Sequence, residues 1–404
     1  MQRRLLFALT AAALVAIATL ILSEVVVRVA KRFVCYQQIA SVYERSPVYG
    51  WGHEAGRASW QQGCIGRDVE YRVHVRINDL GLRGPDYPYE KPAGTERVLV
   101  LGDSIVEATQ VAEEETFVRQ LEQLLHAPDR RVEVLNGGTA GWGTDNELLF
   151  FTAEGRRYDP DLVVLLFNLS NDVSDNHAEL YRRSHEESGH EVLGKAYAKL
   201  NDAGRPLFDF HRLAEYLADE SRKDEKRERS LWFRLTKTFY LLRLIDRRLD
   251  PAPAPRPLAG LPTTMQVHFV PPGEVWQQAW RITEALLIEL TRAVERAGAR
   301  LGIAVLPARE TVMHQGSEGA PRVVAGGAQR WDWDFPRTRI AELLDGHELR
   351  YADLTERLRE HYRATGRTGF FAFDPHLTPE GHRIVAEAIR EQLIPRVASS
   401  PAQR

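Results

Sequence analysis

The chain has 404 residues, 44% of them hydrophobic and 27% charged, with a formal net charge of −3. That size and apolar content allow a substantial core in one large or two medium domains. The near-neutral balance gives no field for a nucleic-acid partner, and the absence of zinc-type Cys/His spacing, a P-loop or Rossmann glycines predicts neither metal nor cofactor.

Residues 1–34 are read first as a single-pass transmembrane anchor. Leu5 through Ser23 carries no charge, and at 1.5 Å per residue this helix spans about 28 Å, close to the thickness of a bilayer's hydrocarbon core. A leader cleaved after Ala16–Ala18 is the rival reading. It is disfavoured because Thr19–Leu22 and Val25–Val27 stay apolar where a leader turns polar. Arg3 and Arg4 precede the span while Arg28, Lys31 and Arg32 follow it, so the positive-inside count leaves orientation open. Cys35 and Cys64 fit either a disulfide or two separate thiols. The disulfide reading favours a body outside the cytoplasm, periplasmic or on the outer face.

Residues 35–95 form a lead-in segment. Tyr71, Val73, Val75 and Ile77 alternate and predict a half-buried strand, and "NDLGLRGPDYP" supplies turn chemistry after it. From residue 96 to about 400 short apolar runs alternate with helical patterns. "RVLVLGDS", "RVEVLNGG" and "PDLVVLLFNLSND" read as buried strands, separated by the helical "ETFVRQLEQLL" and "DNELLFFTAEGRRY". After an interruption come a helix over Val275–Ala297, the strand "RLGIAVLP", a helix near Thr338–Leu344 and the strand "LRYADLT". A closing helix "TPEGHRIVAEAIREQL" has Pro379 at its start. Strands buried on both faces between helices predict an α/β fold: a parallel sheet covered on two sides. Residues 173–270 break the alternation and read as a helical insertion, with the charge run "DESRKDEKRER", the amphipathic "SLWFRLTKTFYLLRLI" and the Pro-rich spacer Pro251–Pro257. Trp232, Phe239 and their neighbours there read as local core, with a lid or a helix resting on the membrane as the functional alternatives.

Ligands of open parallel sheets bind outside the carboxyl ends of the strands, and the polar clusters fall at those ends. Gly102-Asp103-Ser104 ends the first strand. Asn136 and Gly137-Gly138 end the second, with Gly141 just beyond. Asn168, Asn171 and Asp172 follow the third, and Asp374 and His376 precede the closing helix. A serine hydroxyl needs a base, the imidazole needs an orienting carboxylate, and a developing oxyanion needs fixed donors. Ser104, His376 and Asp374 supply the first set. The N–H groups of Ser104 and Gly141 and the Asn171 amide supply the second. Asp103 is expected to shape the turn, Asn136 to hold the Gly141 loop, and Asp172 to be a structural hydrogen-bonder. His382, Trp331, Trp333, Asn78 and Arg83 are expected to serve packing or turn structure.

The blocks "VLVLGDSIVEA", "VEVLNGGTAGWGTDNE", "LVVLLFNLSNDV" and "FDPHLTPEGHRIVAEAI" resemble, in order, the four signature blocks of the SGNH (GDSL-type) hydrolase superfamily. The resemblance covers roughly residues 97–172 and 275–395. It implies a flavodoxin-like three-layer α/β/α fold and a metal-free serine esterase or acyltransferase, with Ser104 as nucleophile, Gly141 and Asn171 as oxyanion donors, and His376 and Asp374 completing the triad. Ile105 stands where Leu is usual, and Leu169 where many members have Gly. The last block reads D-x-H rather than D-x-x-H, similar to the membrane-associated polysaccharide O-acetyltransferase branch. The expected substrate is an O-acyl ester of a glycan or lipid, and a transferase implies a membrane acyl-transfer partner. The rival of another class is a non-catalytic scaffold or binding protein that kept the fold.

Overall fold

The computed structural model describes residues 2–30, 35–128, 130–189, 191–249, 261–316 and 329–394. The Pro-rich spacer Pro251–Pro257 therefore lies outside the described residues, as do Lys31 and Arg32.

Five strands make one parallel sheet: β1 (Thr95–Gly102), β2 (Arg131–Gly138), β3 (Leu162–Asn168), β4 (Arg300–Leu306) and β5 (Tyr351–Asp353). Their spatial order is 2-1-3-4-5. The chain thus reverses its direction of travel between β1 and β3, and a crevice opens at such a switch point, beyond the carboxyl ends. Side chains of alternate residues point to opposite faces, and the sequence uses both. Val98, Val100, Leu162, Val164 and Leu166 pack on one side with the helices Phe117–Leu125 (α1) and Pro379–Gln392 (α6). Leu99, Leu101, Val163, Leu165 and Phe167 pack on the other with Thr144–Ala153 (α2), Glu274–Arg296 (α3) and Phe335–Gly346 (α4). Helix Thr355–Thr365 (α5) adds Leu358 to the first side. The result is a three-layer α/β/α sandwich. Each turn of the chain deposits one polar cluster at the same edge.

The lead-in is richer than the one strand read from its alternation. Tyr43–Ser46 pairs with Gly50–His53, and Ala58–Ile65 pairs with Asp68–Arg76, both antiparallel. The first two strands are short and contain glycine, so they carry too little period-two signal to be read alone. The longer hairpin bulges between Gly63 and Cys64, and Cys64 is bridged to Cys35 with their Cα atoms 5.8 Å apart.

The insertion is helical over Ala178–Ser188, Phe210–Arg229, Leu231–Thr238 and Tyr240–Leu249, but it also holds a small hairpin of Ala198–Leu200 and Pro206–Phe208. Helix Gln2–Ala30 is long and apolar enough to cross a membrane; its most apolar stretch of 18 residues has a mean hydropathy of 2.7, with none of it buried against the body. Length and composition alone fit a signal sequence as well as an anchor.

Candidate active site

The nucleophile candidate sits where β1 ends. Gly102 has φ of +158°, and a Cβ there would meet the Val106 side chain at 2.3 Å, so the tight exit from the strand requires glycine. Asp103 caps the following turn through Oδ1, which accepts the Ile105 N–H at 2.8 Å. Its Oδ2 accepts from the Asn168 amide at 2.8 Å. Ser104 opens the single helical turn Ser104–Glu107 and is half-buried. N–H groups at such a start lack intrahelical acceptors.

His376 Nε2 lies 2.8 Å from Ser104 Oγ, and the Nδ1 edge of its ring meets Asp374 Oδ1. The same oxygen accepts the His376 backbone N–H at 3.0 Å. One carboxylate oxygen therefore holds both the ring and the chain of a residue two positions on, which is how the shortened D-x-H spacing is accommodated. The other oxygen accepts the Tyr71 hydroxyl at 2.5 Å, from the disulfide-closed hairpin. Burial pushes the Asp374 carboxyl up, but the hydrogen bond and charge of His376, and then the Tyr71 hydroxyl, outweigh it and hold the group below its ordinary value.

Gly141 has φ of +77°, a conformation that favours glycine, and a Cβ there would stand 3.4 Å from the Trp51 ring. Its loop is fixed from both sides. Trp51 Nε1 donates to Ala140 O and Trp142 Nε1 donates to Trp51 O, each at 2.9 Å. The Ala140 N–H donates to Glu107 Oε2 at 2.9 Å. Glu107 is buried and is also met by His53 Nε2 at 2.9 Å and by the Tyr43 hydroxyl at 2.8 Å. Asn136 ties the two loops together, donating to Val106 O at 2.7 Å and accepting from Gly138 N–H at 3.1 Å.

Asn171 is half-buried, and its amide donates to Asp175 Oδ2 at 2.8 Å. Asp172 Oδ2 accepts the Asn168 N–H at 2.7 Å, so this residue shapes the end of β3. Behind them lies a group of buried carboxyls: Asp103, Asp145, Glu147, Asp172 and Asp175. The buried Lys195 ammonium donates to Asp145 Oδ1 at 2.8 Å, to Asn146 Oδ1 at 3.0 Å and to Asp175 O at 2.7 Å. Burial pushes Glu147 and Asp172 well above the ordinary carboxyl range, reinforced by the Asp103 charge. Burial likewise pushes Asp175 up to about 7, against the pull of Lys195. Among the described residues, no group of three or more His, Cys, Asp or Glu side chains is arranged to hold a metal ion.

The remaining residues singled out by sequence have structural surroundings. His382 stacks on Phe117, and its Nδ1 accepts the Phe117 N–H at 3.2 Å. Burial, with the charges of Arg83 and His376, depresses its pKa to about 3. Arg83 is buried and donates to the carbonyls of Glu107 and Ala108, and to that of Val111 at 2.7 Å, bracing the turn where Ala108 takes a left-handed φ of 57°. Asn78 Oδ1 accepts the N–H groups of Leu80 and Leu82, at 3.0 and 2.8 Å. Trp331 and Trp333 are buried against each other and His268. A cavity of about 210 Å³ lies behind the Gly141 loop, between His53, Tyr49 and Trp142, rather than over Ser104.

Sequence reasoning missed Tyr71, Glu107 and Lys195. Tyr71 reads as one core-facing member of an alternating strand, and its partner is 303 residues away. Glu107 follows two apolar residues in the first block, and Lys195 stands in "VLGKAYAKL", where it is the first charge after Glu191. An isolated charge in an apolar run is the one signal that pointed inward.

No protein-family model and no curated protein matches the chain. Solved structures similar to it include an acetylxylan esterase, Axe2, from Geobacillus stearothermophilus. That structure is 12% identical with a TM-score of 0.38, over 74% of this chain and 93% of that one. An acetyl xylan esterase, AlAXEase, is 12% identical with a TM-score of 0.37, over 74% and 99%. The α/β hydrolase LAE5 from the metagenome of Lake Arreo, Spain, is 12% identical with a TM-score of 0.37, over 75% and 96%. The activities named are those of these proteins.

Proposed function

We propose that the chain is a serine ester hydrolase of the SGNH type that cleaves an O-acyl ester of a glycan or lipid. The observation carrying this reading is the hydrogen-bonded series Ser104 Oγ, His376 Nε2, His376 Nδ1 and Asp374, with 2.8 Å between hydroxyl and imidazole. Proton transfer to a positioned base needs heavy atoms within about 2.6–3.2 Å. In this mechanism His376 takes the hydroxyl proton as Ser104 Oγ attacks the acyl carbon. The N–H groups of Ser104 and Gly141 and the Asn171 amide stabilise the oxyanion. His376 then gives its proton to the departing alkoxide, leaving an acyl-serine. Water, activated by the same imidazole, releases the acid. Asp374 stays ionised and stabilises the imidazolium, with Tyr71 holding its second oxygen.

A transferase differs only in the hydroxyl that reaches the acyl-serine, and the D-x-H block favours keeping it as the second reading. A membrane partner would then deliver the acyl group. The enzyme is expected to be anchored by its N-terminal helix with the body outside the cytoplasm, a placement supported by the Cys35–Cys64 bridge.

The test is hydrolysis of a short-acyl p-nitrophenyl ester. Ser104→Ala is expected to lower kcat/KM by at least about 10⁴-fold, and a fluorophosphonate probe is expected to label residue 104. Equal rates for the two proteins would leave the scaffold reading in its place. Adding a glycan acceptor and measuring acyl transfer against acid release separates the two enzymatic readings.

A further inference from the structure

We propose that the helix pair Leu231–Thr238 and Tyr240–Leu249 is a membrane-seated foot, lying in the headgroup layer of a lipid bilayer beside the N-terminal helix. This rests on the reading of that helix as an anchor, and it gives the insertion an occupant for its apolar side.

The pair and its junction expose five large apolar side chains: Leu231, Trp232, Phe239, Leu244 and Ile245. Large apolar side chains exposed this close together along the chain suit a contact surface. The two helices are locked to each other, since Trp232 Nε1 donates to Asp246 Oδ1 at 2.5 Å and Arg243 Nε donates to Thr236 O at 3.2 Å. They are also locked to the anchor. Glu24 Oε2 accepts the Leu241 N–H at 2.7 Å, Arg28 donates to Thr238 O at 3.2 Å, and Arg28 Nε pairs with Glu24 Oε1 at 2.6 Å. The pair packs against itself, against the preceding helix Phe210–Arg229 and against the anchor.

The level of that attachment identifies the partner. Glu24 is the first charge after the uncharged span Leu5–Ser23. With the span filling the hydrocarbon core, Glu24 and Arg28 stand at the boundary with the headgroups. The junction 238–241 is hydrogen-bonded to those two residues and lies at the same depth. Amphipathic helices bury an apolar side in that layer while basic groups stay toward the phosphates, and tryptophan is enriched there. Arg234 and Arg243 are exposed alongside the apolar set and suit that environment. A foot of this kind takes two attachment points from one membrane, so the body is fixed in tilt as well as tethered. The lid alternative gives no account of the attachment to Glu24.

The test uses the full chain in phosphatidylcholine–phosphatidylglycerol vesicles, with one thiol-reactive NBD fluorophore per variant, the native cysteines being bridged. Leu244→Cys and Ile245→Cys probes are expected to be blue-shifted. Their emission should fall by at least half with lipids spin-labelled near the headgroup, and less with lipids labelled near the chain end. A Glu228→Cys probe on the charged helix should be unquenched, and a Val15→Cys probe should be quenched best by the deep label. Probes at 244 and 245 that match the one at 228 overturn the foot while leaving the anchor standing. Probes that are blue-shifted but unquenched also overturn it, because protein, such as a second copy of the chain, then covers the face. An unquenched Val15 probe removes the anchor and the foot together. Ester hydrolysis plays no part in these readouts, so the proposed reaction stands or falls separately.

Discussion

Tyr71 shows what a single residue outside the four sequence blocks contributes. Its hydroxyl is the donor to Asp374 Oδ2, and a hydrogen bond to a charged acceptor is worth about 1.5–3 kcal/mol. Tyr71→Phe is expected to lower kcat roughly tenfold with KM unchanged, because it loosens the imidazole's support without touching the substrate. A parallel loss in KM, or no loss, would count against this positioning role. Gly63 offers an independent route to the same hydroxyl. A Cβ on Gly63 would fall 2.4 Å from the Tyr71 ring, so Gly63→Ala should reproduce the kcat defect. Adding that methyl to Tyr71→Phe should then cost less than the sum, since coupled neighbours do not add. At this scale the meeting of Ser104, His376 and Asp374 was legible, because the chemistry that would join them admits few residue types. Tyr71 was not, because a tyrosine facing a core needs no further explanation until its partner, far along the chain, is known.

Among the elements, the insertion is the one whose contribution is least visible in the sequence. Its composition reads as solvated helix, and the Phe210–Arg229 segment matches that reading with Leu213 and Glu220 its only buried residues. Yet the irregular stretch before Ala198 carries Lys195 into the interior, where it is the cation facing Asp145. Removing one partner of a buried pair leaves the other charge uncompensated, at a cost of about 3–5 kcal/mol. Lys195→Met is therefore expected to lower the unfolding free energy by that amount, measured by urea unfolding, and Lys195→Met/Asp145→Leu to recover most of it. The sheet strands, by contrast, were legible element by element. Val98 through Leu101 and Leu162 through Phe167 are apolar at every position, a pattern that only a strand covered on both faces requires. The hairpin Tyr43–His53 was harder, since it is held on the Glu107 turn and the Gly141 loop rather than by an apolar pattern of its own.

For the molecule as a whole, the buried carboxyls set how stability responds to pH. Glu147 and Asp172 are held well above their ordinary values by burial and by neighbouring acids, and Asp175 is pushed up to about 7. A raised carboxyl binds its proton in the folded state and releases it on unfolding. Its favourable contribution is complete below the ordinary value and is lost as pH rises through the folded one. His382 and His268, depressed by burial to about 3 and about 4, act in the opposite sense: the unfolded chain takes up their protons below about pH 6.5. Above pH 6.5 only the carboxyls remain in play. The melting temperature is therefore expected to fall as pH rises from 6.5 to 8.5 through the Asp175 value of about 7, and Asp175→Asn should reduce that fall by on the order of a few degrees. A flat profile in the wild type, read by calorimetry, would contradict this account.

The 2.8 Å contact between residues 104 and 376 also has a consequence for biosynthesis. Residue 376 follows all five strands of the sheet along the chain, whereas residue 104 follows only the first. Residue 104 is thus made long before the imidazole that meets it, and the loop carrying residue 376 leads directly into the helix Pro379–Gln392, which packs on α1. Under the proposed mechanism a prematurely terminated chain would hold the hydroxyl without its base and hydrolyse no ester.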